Sequence, residues 1–149
     1  MYTSLIRLTN LPEANVLMFA FLLNYPWEFL QAPLFQDLMA APHWEAVKLC
    51  TRAAVGDAAI TLIAFWAVAA RAHTRSWMLR PTRSQLLGFV GVGLGITVVI
   101  ERLATGPLGL WTYADTMPVI PILKVGVGAL LQWIVLPPLV AWFVQRQLT

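Results

Sequence analysis

The chain has 149 residues, 59% of them hydrophobic and only 11% charged, with ten basic and seven acidic side chains giving a formal charge of +3. A soluble domain usually carries about a quarter of its residues as charged groups, so this composition excludes an ordinary water-facing surface. The small net charge makes no case for a nucleic-acid partner, and the single cysteine, Cys50, excludes an internal disulfide and a thiolate metal cluster.

Residues 1–14 read as a short amphipathic lead, Leu5-Ile6-Arg7-Leu8, suited to lie in a membrane interface. Four apolar stretches follow, at about 15–36, 47–70, 84–101 and 119–144, each near the ~20 residues that cross ~30 Å of hydrocarbon. They are apolar nearly all round without alternating at period two, which excludes barrel strands. Helices remain, because lipid leaves the backbone no other way to satisfy its polar groups. Arg7 followed by Val16–Leu23 looks superficially like a signal peptide, but the run ends in Asn24-Tyr25-Pro26-Trp27-Glu28 with no small-x-small cleavage site, so a retained helix is expected. Pro26, and Pro137-Pro138 in the fourth stretch, each open the hydrogen-bond ladder one turn earlier, which either kinks the helix for packing or frees a carbonyl such as that of Leu22 towards a cavity.

The second stretch carries Cys50 near its outer end, read as a small buried residue, and the small residues Ala53, Ala54, Gly56 and Ala58. Arg71, His73, Arg75, Arg80 and Arg83 then fall in one short loop with no acid, which the positive-inside rule places in the cytoplasm. Both termini are then cytoplasmic, in agreement with Arg7 and Arg146. Gly88, Gly91 and Gly95 lie near one face of the third stretch, and Gly126 and Gly128 precede Gln132 in the fourth. Small residues let helices approach closely in lipid, so tight packing is expected, with a homo-oligomer or a membrane-protein partner following from the same surfaces. The predicted fold is all-α: one transmembrane domain over 1–149, a four-helix bundle with cytoplasmic N and C termini.

Three acids fall within the predicted spans: Glu28, Asp57 and Glu101. An aspartate at the bilayer centre costs about 2.5–3.5 kcal/mol, so three of them point to an interior site on the non-cytoplasmic half. Asn24, Glu28 and Gln31 share one face of the first helix, Asp57 and Thr61 one of the second, Thr97 and Glu101 one of the third, and Gly128 and Gln132 one of the fourth. Four polar stripes turned inward would form a pocket of carboxyls and amides. In a dry site a protonated carboxyl can act as general acid while an ionised one acts as base. The competing structural reading pairs Glu28 or Glu101 with Arg52 or Arg102 near the interface. Trp44, Trp66, Trp77, Trp111 and Trp142 read as interface anchors or lipid-facing bulk, whereas Trp27 adjoins Glu28 and could offer its face to a developing carbocation. The run Gly106 to Tyr113, with Trp111 and Tyr113, could cap the outer mouth as a lid. His43 and His73 fall on opposite sides of the membrane, and no nucleotide, haem or other cofactor motif is recognisable. No metal or cofactor is therefore expected.

Asn24-Tyr25-Pro26-Trp27-Glu28 resembles the Asn-x-x-Trp-Glu element of integral-membrane terpene cyclases, which protonate an isoprenoid alkene or epoxide with intramembrane acids. Glu101 to Tyr113 looks loosely like part of membrane lycopene-cyclase-type proteins, and the acids and tryptophans resemble those of emopamil-binding-type sterol isomerases. The resemblance covers about a tenth of the chain, whose four helices are fewer than those cyclases carry. It implies Glu28 as proton donor with Asp57 or Glu101 assisting, and Asn24, Trp27, Gln31, Thr61, Trp111, Tyr113 and Gln132 around the substrate. The pattern is also similar to small uncharacterised bacterial polytopic membrane proteins with a Trp-Glu-(x)2-Gln element, which implies a multi-pass protein of a bacterial inner membrane and no activity. The expected function is an acid/base isomerase or cyclase acting on a hydrophobic isoprenoid-like lipid. A non-catalytic assembly subunit and a small proton-coupled transporter are the alternatives.

Overall fold

The computed structural model describes residues 10–149; the amphipathic lead Leu5–Leu8 and Arg7 lie outside them. Among the described residues the fold is all-α, with helices α1 (Pro12–Gln31), α2 (Gln36–Ala40), α3 (His43–Ala72), α4 (Arg83–Thr105) and α5 (Val127–Leu148). The only extended pairing longer than a single bridge among these residues is a hairpin of β1 (Val119–Ile120) and β2 (Val125–Gly126). Three of the helices, α3, α4 and α5, are long and apolar enough to cross a membrane. The fourth expected span, α1, has 20 residues, but Asn15, Asn24 and Glu28 interrupt its apolar run, and all three are buried inside the protein.

Local chemistry sets the helix boundaries. α1 begins with Pro12 in its first turn, where the missing N–H would have no partner anyway. It stops at Gln31, short of the predicted residue 36, because Pro33 has no N–H to continue the ladder, and the chain continues as a 3-10 turn, Ala32–Leu34. α3 runs 30 residues, about 45 Å, and ends at His73, whose left-handed backbone (φ 52°) closes the helix. α4 opens on a reciprocal cap: Thr82 Oγ1 accepts from the Gln85 N–H, and Gln85 Oε1 accepts from the Thr82 N–H. The predicted fourth stretch started at 119, but Pro118 and Pro121 cannot sustain a helical ladder, and residues 119–126 form the hairpin instead; α5 starts at Val127.

Consecutive long helices run antiparallel. Near one end Arg75 pairs with Glu13 at 3.3 Å, and Phe19 of α1 stacks on Phe143 of α5 with ring centroids 5.3 Å apart. That end holds the main apolar core: Val16, Phe65, Val68, Trp77, Met78, Phe89 and Val144. Trp77 is not the interface anchor predicted for it. It is buried, donates its indole N–H to Phe65 O at 3.3 Å and lies between the Phe65 and Phe89 rings. Such aromatic pairs contribute about 0.5–1.5 kcal/mol each beyond their burial.

The tightest approach is at a glycine other than those singled out. A Cβ at Gly93 would lie 1.8 Å from Trp133 Cζ3, so only glycine lets that indole cross α4; Gly91 and Gly95 have nothing within 4 Å. Pro26 and Leu22 are exposed on the outer side of α1, so the ladder that Pro26 opens does not face a cavity as predicted. Large apolar side chains crowd the surface, including Leu30 at 77%, Leu87 at 72% and Ile122 at 88% exposure. Contiguous exposure on that scale marks a surface made for an apolar surrounding or a partner.

Candidate functional site

The polar stripes of the four long helices converge. A cavity of about 380 Å³ opens near the end where α1 and α4 finish and α3 and α5 begin, and Glu28, Gln31, Asp57, Thr97, Glu101 and Gln132 all line it. Its remaining wall is largely apolar, with Leu49, Ile60, Ile100 and Leu110 among the lining side chains. The volume falls in the range of about 300–1,000 Å³ found for small-molecule sites.

Gln132 is the centre of the polar floor. Its Nε2 donates to Asn24 Oδ1 at 2.6 Å, to Asp57 Oδ2 at 2.8 Å and to Glu28 Oε1 at 3.2 Å. Gln31 Nε2 donates to the same Glu28 oxygen at 2.9 Å. A primary amide has two hydrogens, so the three oxygens around Gln132 outnumber its donors. A proton on Glu28 or Asp57 would supply the missing hydrogen bond and relieve the repulsion between two carboxyls gathered on one nitrogen. Gly128 leaves room for this arrangement, since a Cβ there would lie 3.0 Å from Gln31 Oε1.

Glu101 is held differently. Trp111 Nε1 donates to its Oε2 at 3.4 Å and the Tyr113 hydroxyl donates to the same oxygen, while the Gly126 N–H donates to the Tyr113 oxygen at 3.0 Å. Burial, and then the bond to Glu101, push the Tyr113 phenol well above its ordinary pKa, so it stays a donor. Two donors thus converge on one oxygen of that carboxyl. Among the described residues the ion pairs join Lys48 to Glu45 and Arg75 to Glu13. The competing expectation, that Glu28 or Glu101 pairs with Arg52 or Arg102, does not describe the structure. Arg52 lies exposed at the cavity wall.

The run after α4, expected as a lid, reaches the cavity wall and is tied down. Gln36 N donates to Thr112 O and Ala114 N to Leu34 O, both at 2.9 Å, and Phe35 pairs with Tyr113 as an isolated β-bridge. Asp37 accepts from the Thr112 N–H at 2.5 Å. Leu110 and Trp111 thereby reach the cavity.

Of the predicted site residues, Glu28, Asp57, Glu101, Gln31, Trp111 and Gln132 line the cavity, and Tyr113 stands directly behind Glu101. Asn24 and Thr61 sit deeper, beside Gln132 in a narrow gap next to Pro137. Trp27 does not join them. One residue before Glu28, it is rotated by about 100° around the helix, and its indole N–H is buried without a partner. Phe35 and Trp111 supply the aromatic surface instead. Phe35 had no sequence signal, since a lone aromatic beyond a helix end looks like any loop residue.

Thr97 also stands out. Thr51, Thr61 and Thr105 each donate to the carbonyl four residues earlier at 2.7 Å, whereas the buried Thr97 hydroxyl makes no hydrogen bond. Cys50 is buried as expected, at the cavity wall. His43 and His73 cap opposite ends of α3, and among the described residues no group of three or more His, Cys, Asp or Glu is arranged to hold a metal ion. No family model, no curated protein and no solved structure matches the chain.

Proposed function

We propose that the chain is a multi-pass protein of a bacterial inner membrane, a four-span bundle with cytoplasmic termini, and that it is an acid/base isomerase or cyclase acting on a hydrophobic isoprenoid-like lipid. The observation that carries this reading is the gathering of three carboxyls from three helices, none with a basic partner, in one apolar-walled cavity. The basic residues Arg71, Arg75, Arg80 and Arg83 lie at the opposite end of α3 and α4 from the cavity, which supports a cavity in the non-cytoplasmic half.

The two kinds of carboxyl environment suit two roles. Glu28 and Asp57, gathered around Gln132, hold a proton that can pass to an alkene carbon, leaving a tertiary carbocation. Glu101, bonded by Trp111 and Tyr113, takes a proton from a neighbouring carbon, so the alkene re-forms at a new position or after ring closure. The substrate ends with the proton count it began with, and the pair regains its proton from Glu101 or from water. The Trp111 and Phe35 rings and the carboxylates stabilise the cation.

The test is mass spectrometry of lipids that co-purify with the wild type and with Glu28→Gln. An isoprenoid-like lipid enriched with the variant, together with loss of its conversion by a folded protein, is the expected result. Bulk phospholipid alone in both samples would favour the assembly-subunit alternative. Uptake into liposomes that follows a proton gradient would favour the transporter.

A further inference from the structure

A second recess, of about 550 Å³, lies on the other side of Tyr113 from Glu101, lined by Arg102, Thr105, Pro107, Thr112, Tyr113 and Lys124 among others. Two cations from separate elements face it, Arg102 from the last turn of α4 and Lys124 from the hairpin turn between β1 and β2. Neither has an ion-pair or hydrogen-bonding side-chain partner among the described residues. Glu101 cannot neutralise Arg102, because its carboxyl is turned away towards Trp111 and Tyr113. Asp115, the other acid of this connector, does not line the recess.

Part of the α4 C-terminus is satisfied without Arg102: Thr105 Oγ1 donates to Glu101 O, the Leu108 N–H to Leu103 O, and the Leu110 N–H to Ala104 O. Lys124 is held in a left-handed backbone (φ 53°), which a lysine rarely adopts, by its N–H bond to Ile120 O at 2.7 Å. The fold therefore brings two unneutralised cations to one recess, which Thr112 and Tyr113 also line.

From this geometry we infer that the recess binds the phosphate group of an anionic membrane lipid. A guanidinium and an ammonium together match a tetrahedral oxyanion with several acceptor oxygens. Free phosphate would meet the same cations. The surroundings favour a lipid: Leu108, Leu110 and Ile122, at 59%, 63% and 88% exposure, belong to the same two loops and offer an apolar bed for acyl chains. The recess also lies at the C-terminal end of α4, a helix long and apolar enough to cross a membrane, where phosphates of the non-cytoplasmic leaflet would meet it. That depth rests on the four-span reading; the anion site does not.

The experiment is native mass spectrometry and thermal unfolding of the full chain in neutral detergent, titrated with phosphatidylglycerol, phosphatidylcholine or inorganic phosphate. Wild type should retain phosphatidylglycerol over phosphatidylcholine by roughly 30-fold, the effect of two basic side chains at a membrane surface. The preference should shrink with added salt and vanish in Arg102→Gln/Lys124→Gln. The charge-preserving pair Arg102→Lys/Lys124→Arg should keep it, which covers the case in which the neutral pair fails to fold. Equal retention of the two lipids by wild type, or an unchanged preference in the neutral pair, would overturn the proposal. Stabilisation by inorganic phosphate with no lipid preference would refute the lipid as its source. None of these outcomes touches the Glu28→Gln result, so the two proposals fail separately.

Discussion

Replacing Gln132 with methionine keeps the length and volume of the side chain and removes its amide. In the native protein that amide serves three oxygens on two other helices with two hydrogens. Two hydrogen bonds are therefore lost at any instant. Between membrane helices such bonds average about 0.6 kcal/mol each, and a buried acceptor left without a donor costs about 1–3 kcal/mol. The Glu28 and Asp57 oxygens line the open cavity and can recover water. Asn24 Oδ1 cannot, because the gap beside it has no room for a water molecule. The expected loss is thus ~2–4 kcal/mol, mostly through Asn24. Equilibrium unfolding in mixed micelles of increasing denaturing detergent would measure it. Repeating Gln132→Met on an Asn24→Leu background should reduce the loss to below ~1.5 kcal/mol, because the stranded acceptor is then gone. A Gln132→Met protein as stable as wild type would refute the placement of this amide at the centre of the polar floor.

Gly93→Ala should destabilise by ~1–3 kcal/mol through collision with Trp133, while Gly91→Ala, with open space around it, should be neutral or slightly stabilising; thermal melts of the pair in detergent give the contrast. The raised Tyr113 phenol keeps its proton in the folded protein above pH ~10, where the unfolded chain loses it. Stability should therefore fall as pH rises past that point, and Tyr113→Phe should flatten this part of the profile in a pH series of unfolding midpoints. Tyr113→Phe should also lower turnover of any lipid product without preventing its binding, since Glu101 keeps Trp111 but loses its stronger donor; a matched fall in binding and turnover would count against a role at Glu101.

What could be read in advance were the features with a period or a cost. Glu28, Asp57 and Glu101 were legible as an interior group because lipid penalises them wherever else they point, and the stripes Glu28–Gln31 and Thr97–Glu101 follow helical spacing onto one cavity, with Asn24 in the gap beside it. Trp27 was misplaced for the converse reason: adjacency in sequence to Glu28 means rotation away from it on a helix. The hairpin over 119–126 lay hidden inside an apolar run whose only warning was Pro118 and Pro121. Trp133 carried no mark that its indole would lie across Gly93, since complementarity between two helices is not written in either one. Phe35 and Asp37 reach the cavity through the tertiary path of the short segment between α1 and α3, which no local pattern encodes.

The strap formed by Gln36–Thr112, Ala114–Leu34 and the Phe35–Tyr113 bridge fastens the two outer connectors into one plate. A plate sewn along one edge does not swing like a flap. At the side, Leu49, Ala53 and Gly56 of α3 and Ile100 of α4 are exposed as well as lining the cavity, a slot between two helices. For a four-span protein that slot faces the acyl chains. Ligand exchange then obeys two-dimensional kinetics, set by the mole fraction of the molecule among its neighbouring lipids. Diluting it with inert lipid should slow occupancy at constant bulk concentration, whereas adding more water should not.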